Sequence, residues 1–154
     1  MDDTTFTASL HYQDPKAAVA WLVDAYGFEI TMAIDGPPES PEMCHYELAL
    51  AGRGRVMIGG EWAAGIRSPR SSDGANSQCM HVQLAEGLDA HCVRARAAGS
   101  VILAEPADEF YGDRTYRALD LEGHMWSFAQ HVRDVSRVEA EAAIGQSISA
   151  TTWA

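Results

Sequence analysis

Two short alternating stretches carry the residues best suited to chemistry. Thr7, Ser9 and His11 alternate with Phe6, Ala8, Leu10 and Tyr12; Cys79, His81 and Gln83 alternate with Met80, Val82 and Leu84. Period-two alternation marks a strand whose two faces meet different surroundings, so each polar set shares one face. A pocket histidine exchanges protons near neutral pH, which makes His11 and His81 candidate acid–base groups. The alternative for each is a ring hydrogen-bonded at a pocket rim with no chemistry. Glu47, in Cys44-His45-Tyr46-Glu47-Leu48, is a candidate base or a solvated carboxylate. Cys79 lies two residues from His81, as a Cys–His pair on one strand face would. A reactive thiol needs a cation or helix N-terminus beside it, and an inert buried cysteine is the plainer reading. Arg114 either grips an anionic ligand or pairs with Asp113 or Asp120 and holds its loop. Trp62, after Gly59-Gly60-Glu61, offers a plate for a planar ligand or anchors its loop. Met125 and Ser127 alternate with Trp126 and Phe128, which belong to the core, so the first two join the candidate ligand contacts.

These residues need elements to hold them, and the chain supplies the elements twice. Shifted by 72 positions, Ala8, Leu10 and Tyr12 fall on Met80, Val82 and Leu84, while Ala18, Ala25, Gly27 and Ile30 fall on Ala90, Ala97, Gly99 and Ile102. A helix follows each alternating strand. The first has Asp14 as N-cap, Pro15 at its first position and Gly27 past its end, with Trp21 and Leu22 for burial. The second runs from about Gly87 to Ala98, with Leu88, Cys92 and Ala95 on one stripe and Gly99 as its stop. Extended runs come next: 28–34, 43–50 and 55–59, then 100–103, 114–120 and 125–131. Each copy therefore reads β-α-β-β-β. The joints are the proline-bearing loop 35–42 and the Gly/Ser/Arg-rich loop 60–77, and Asp120 to His124 makes a hairpin turn. The tail 133–145 reads as helix with Val135, Val138 and Ala142 on one face.

The expected architecture is α+β: two tandem βαβββ modules forming a curved mixed sheet around a concave pocket, with helices outside. One domain spans 1–132, with modules at about 5–60 and 79–132, and 133–154 forms a helical tail. With 22 acidic against 11 basic residues the formal charge is -11, so nucleic acid and anionic membranes are poor partners. Lys16 is the only lysine, which leaves little room for Schiff-base chemistry. No apolar run approaches the ~20 residues of a bilayer span. The start, Met1-Asp2-Asp3-Thr4, is acidic, unlike a secretory leader. Three cysteines without CxxC spacing indicate neither a disulfide framework nor a thiolate zinc site, and a cytoplasmic location is expected.

Two segments carry a resemblance. They are Leu10-His11-Tyr12-Gln13-Asp14 through Ala20-Trp21-Leu22 to Tyr26-Gly27-Phe28-Glu29, and Tyr111-Gly112-Asp113-Arg114-Thr115-Tyr116-Arg117 to Asp120-Leu121-Glu122-Gly123-His124-Met125-Trp126-Ser127-Phe128. The chain resembles the vicinal oxygen chelate superfamily of glyoxalases, bleomycin-resistance proteins and extradiol dioxygenases. The second segment is most similar to the PhnB-like branch, with Leu121 where a proline is usual. The resemblance implies a homodimer and a small-molecule pocket. It also implies four metal-ligand positions, which here are Thr7, Gly59, Cys79 and Ser127. Such metals want imidazole and carboxylate, so no metal cofactor is expected. His11, His81, Glu47 and His45 remain as an alternative set displaced by two residues. The expected function is binding of a small, planar aromatic molecule in a metal-free pocket, as in sequestration or resistance. The alternatives are a metal-independent lyase or isomerase using His11, His81 or Glu47, and a metal-dependent lyase or dioxygenase using the displaced set.

Overall fold

A computed structural model describes residues 6–51 and 53–153. The acidic start Met1 to Thr4, and residue 5 at the head of the first module, lie outside the described residues. The order of elements is β1 (Ala8–Tyr12), α1 (Pro15–Tyr26), β2 (Glu29–Ile34), β3 (His45–Leu50) and β4 (Gly54–Gly60). A 3-10 turn at Pro69–Ser71 then leads to β5 (Cys79–Leu84), α2 (Leu88–Ala97), β6 (Val101–Asp108), β7 (Asp113–Leu119), β8 (Met125–His131) and α3 (Arg137–Ile144). The tandem βαβββ reading holds, and so does its α+β class. Each module makes its own four-stranded mixed sheet, ordered β1-β4-β3-β2 and β5-β8-β7-β6. The outer pairs β1/β4 and β5/β8 are parallel and the rest antiparallel.

Local chemistry explains the helices. Asp14 accepts the Ala17 N–H at 3.0 Å, Pro15 opens α1, and Gly27 closes it at φ 78°. In α2 the expected stripe Leu88, Cys92 and Ala95 is buried. One core joins the modules: Tyr26 of α1 packs edge-on against Phe128 and tilted against Trp126, both on β8. Among the described residues no helix is long and apolar enough to cross a membrane.

Three expectations need correction. Phe6, the first apolar residue of the alternating stretch, does not join the strand: it precedes β1 and is 88% exposed. The run 100–103 extends to Asp108, because β6 is an outermost strand and Pro106 falls in the break of register between Ala104 and Ala107, where its missing N–H costs no ladder bond. The tail helix starts only at Arg137, capped by a reciprocal Ser136–Glu139 box. Val135 therefore lies outside the helix and is buried on its own, and within the helix Ala140 is buried while Val138 and Ala142 share the exposed face.

His91 sits inside the shared core between Tyr26, Tyr116 and Phe128. Its Nε2 meets the Tyr26 carbonyl at 2.9 Å, so that nitrogen carries the proton, and Nδ1 accepts from the Tyr116 hydroxyl at 2.6 Å. Burial lowers its pKa below the ordinary histidine value, and Arg94 adds to this, while the Tyr26 carbonyl opposes it. The unfolded chain then binds more protons here than the folded one, so this group's stabilisation is complete above about pH 6.5 and falls as pH drops below it. His131 runs the other way: hydrogen bonds to Asp134 and Asp113 raise it, but it is fully exposed and weighs little. Urea midpoints from pH 7.5 to 5 should fall more steeply in the wild type than in His91→Gln. Parallel slopes would show that His91 does not drive the loss.

Candidate ligand site

The strand registers show where the polar candidates lie. On sheet one, Ser9 pairs with Met57, Met57 with Glu47, and Glu47 with Met32, so these four share the face away from the helices. His11 pairs with Gly59 and His45 with Ile34 on the same face. On sheet two, Cys79, His81 and Gln83 pair with Met125, Ser127 and Ala129. The expected grouping of polar side chains on one face per module is present.

Their hydrogen bonds narrow the chemistry. The His11 ring lies over Gly59, where a Cβ would stand 3.4 Å from its Nδ1. Nδ1 donates to the Gly60 carbonyl at 3.0 Å, which leaves Nε2 to accept from the Ser9 hydroxyl at 3.2 Å. Both nitrogens are thus engaged, as a structural histidine's are. His45 and Glu47 pair at 3.2 Å, with Arg55 3.7 Å from the other Glu47 oxygen. Cys79 is exposed rather than buried, but desolvation of its thiol still pushes it up, against an opposing pull from Arg117, the wrong direction for a nucleophile. Arg114 reaches Asp89 at 2.9 Å and Asp108 at 2.8 Å, so its partners are these two rather than Asp113 or Asp120. Trp62 is 56% exposed in the loop after β4, and Thr7 is exposed ahead of β1.

The fit to a divalent metal is poor. Ser9 and His81 are 72 apart and pair with Met57 and Ser127, so the counterpart of Ser127 is Met57, two residues before Gly59. Thr7, Met57, Cys79 and Ser127 still provide neither imidazole nor carboxylate. Among the described residues no three His, Cys, Asp or Glu side chains gather as a metal site, the displaced set included.

A cleft of about 660 Å³ lies between the β3–β4 hairpin and the outer edge of β5. Phe28, Val56, Met80, Val82, Leu84 and Trp126 make its apolar wall, and Arg53, Arg55, His81 and Gln83 its polar part. Of the sequence candidates only His81 and Gln83 line it. Met80, Val82 and Leu84 pack against the core, yet they are only half-buried because the cleft opens beside them. The alternation of β5 revealed its faces but not that its core side is incompletely covered. That gap comes from the facing hairpin.

A second polar cluster joins the modules, and its members had read only as turn residues. Asp120 accepts from the Tyr12 hydroxyl at 2.6 Å, the Trp126 indole at 3.0 Å and the backbone N–H groups of Glu122 and His124. Glu122 accepts from the amides of Gln13 at 2.8 Å and Asp14 at 3.0 Å and from the Ser68 hydroxyl at 2.6 Å, with Arg70 3.8 Å away. His124 Nε2 donates to the His11 carbonyl at 2.9 Å. Burial and the Asp120 carboxylate hold the Tyr12 hydroxyl well above its ordinary pKa, so it stays a donor. The sequence signal was available: an Asp-x-Glu-x-His turn is unusually rich in groups that need partners once buried.

Comparison with known proteins agrees with this fold. The model of the Glyoxalase/Bleomycin resistance protein/Dioxygenase superfamily matches residues 6–128. The crystal structure of TioX from Micromonospora sp. ML1 is 30% identical, with a TM-score of 0.63, over 84% of this chain and 99% of that one. A glyoxalase/bleomycin resistance protein/dioxygenase from Nocardioides superposes with a TM-score of 0.58 at 17% identity, over 86% and 87% of the two chains, a likeness of fold alone. An uncharacterized protein of Mycobacterium tuberculosis (strain ATCC 25618 / H37Rv) is 28% identical over 134 residues, 85% of this chain and 76% of its own length. With the matched segment spanning both modules, the chain belongs to the Glyoxalase/Bleomycin resistance protein/Dioxygenase superfamily.

Proposed function

We propose that the protein binds a small, planar aromatic molecule without a metal, in the cleft between the β3–β4 hairpin and β5. The observation that carries this reading is the cleft itself, of drug-sized volume and walled by the half-buried aliphatic side chains of Leu50, Met80, Val82 and Leu84, with the buried rings of Phe28 and Trp126 at its floor. The poor donor set at the four chelating positions supports the metal-free part, and the engaged nitrogens of His11 favour capture over acid–base catalysis. The bound state is a homodimer. Ile30, Met32 and Ile34 on β2 and Val101 and Leu103 on β6 are exposed on the outermost strand of each sheet, apolar rows that a second copy would cover.

Thermal shift with planar aromatic compounds, and separately with Ni²⁺, Zn²⁺ and Mn²⁺, tests the reading, with light scattering on the same samples. A compound at a hundredfold excess over its Kd adds about 2.7 kcal/mol, a rise of several degrees. Ala85→Trp, at an exposed position lining the cleft, should abolish that rise and leave the unliganded Tm nearly unchanged. A rise with metal alone that a chelator reverses would sink the metal-free reading, and a monomeric mass would sink the dimer.

A further inference from the structure

The cleft has a twin inside the same molecule. Strand pairing relates β1 to β5 by 72 positions and β4 to β8 by 70, since Tyr12 pairs with Gly60 and Leu84 with Gln130. The β3–β4 turn, residues 50–54, therefore corresponds to the β7–β8 turn, residues 120–124. They share one backbone hydrogen bond, from Arg53 N–H to the Leu50 carbonyl and from Gly123 N–H to the Asp120 carbonyl, each at 3.1 Å, but place the left-handed residue differently, at Ala51 (φ 50°) in the first turn and at Gly123 (φ 94°) in the second. Likewise Tyr12, Gln13 and Asp14 correspond to Leu84, Ala85 and Glu86.

The two junctions differ in side chains. At the first, the Glu122 carboxylate sits on the Gln13 and Asp14 amides, with Arg70 beside it. At the second, Leu50 and Gly54 replace Asp120 and His124, and position 52, outside the described residues, is glycine and has no carboxylate to offer. Among the described residues no carboxylate accepts from the Ala85 and Glu86 amides. The cleft lies where the first junction is filled, and Arg53, Arg55 and His81 line it with no acidic side chain among the described lining residues. In a chain of net charge -11 that is a local reversal of sign. The acids nearest in sequence are accounted for: Glu47 pairs with His45 and Arg55, and Glu86 is exposed.

We propose, on the basis of the binding reading above, that the ligand is an aromatic carboxylate. Its carboxylate takes at the amides of Ala85 and Glu86 the place that Glu122 takes at Gln13 and Asp14. Arg53 plays the part of Arg70, and the aromatic body lies against the half-buried side chains of Met80, Val82 and Leu84. Charge-assisted hydrogen bonds from backbone amides and a guanidinium favour the anion over a neutral amide of the same shape.

Calorimetric titration of the full chain with naphthoate, cinnamate and phenylacetate, each against its primary amide, tests this. Carboxylates should bind about tenfold or more tightly than their amides, the ratio expected for a hydrogen bond to a charged group. Their addition should move the amide proton resonances of Ala85 and Glu86 downfield, and Arg53→Gln should remove most of the preference. Equal binding of acids and amides, with those two resonances still, overturns the carboxylate assignment and leaves the binding reading standing. No binding by any of the six overturns both.

Discussion

Asp120→Ala is expected to remove about 3–5 kcal/mol of folding stability, the largest loss among the polar residues described here. One buried carboxylate satisfies the Tyr12 hydroxyl, the Trp126 indole and two backbone N–H groups. Alanine leaves all four donors without that partner in a place where Tyr12 and Trp126 are 0% exposed. Each unsatisfied buried donor costs roughly 1–3 kcal/mol. Relief of the carboxylate's own desolvation offsets part of this, so the figure stays below the sum. Asp120→Asn should be less harmful, because one oxygen remains to accept, but its amide donors would then meet a donor from Tyr12 or Trp126. Urea denaturation followed by tryptophan fluorescence reads the loss, and Tm should drop by about 10 °C. A change under about 1 kcal/mol would mean that Asp120 does not hold the modules together.

That latch also shows where sequence reasoning reached and where it stopped. The repeat, both main helices, the caps of the first and the stop of the second, and the division of Cys79 to Leu84 into two faces followed from periodicity and from Asp14, Pro15, Gly27 and Gly99, because local rules govern them. Asp120 and His124 read as turn residues because a turn explains them locally; their second role depends on Tyr12 and His11, more than 100 positions away. Arg114 was assigned the wrong partners for a related reason. Asp89 and Asp108 reach it only once α2 and β6 flank the start of β7. His11 looked like an available acid–base group, and only the parallel pairing with β4 reveals that Gly59 and Gly60 let its ring lie flat and engaged. The cleft was illegible for the opposite reason: it exists because of what residues 50–54 lack relative to 120–124.

Gly112→Ala is expected to cost about 3 kcal/mol, although the motif Tyr111-Gly112-Asp113-Arg114 looks like a site signature. Gly112 has φ +101°, which a side chain resists by about 1–2 kcal/mol. An added Cβ would also run into the Arg133 carbonyl, with Val135 3.1 Å away. Arg133 cannot simply retreat, since its N–H and that of Val132 both donate to the Gly112 carbonyl, at 3.1 and 3.0 Å. Strain and lost hydrogen bonds therefore add. Gly145 is the control: its φ is +67° but nothing lies within 4 Å of the added Cβ, so Gly145→Ala should cost about 1 kcal/mol. Urea midpoints of the two variants decide the matter. Equal losses would show that backbone angle alone sets the requirement, whereas a larger loss at Gly112 assigns this glycine to the close passage of the tail. On that account the motif is kept together by packing: Gly112 receives residues 132–133, Asp113 meets His131 at 3.1 Å, and Arg114 bridges Asp89 and Asp108. None of the three is then free to serve the cleft, and ligand affinity per folded molecule should survive the Gly112 substitution.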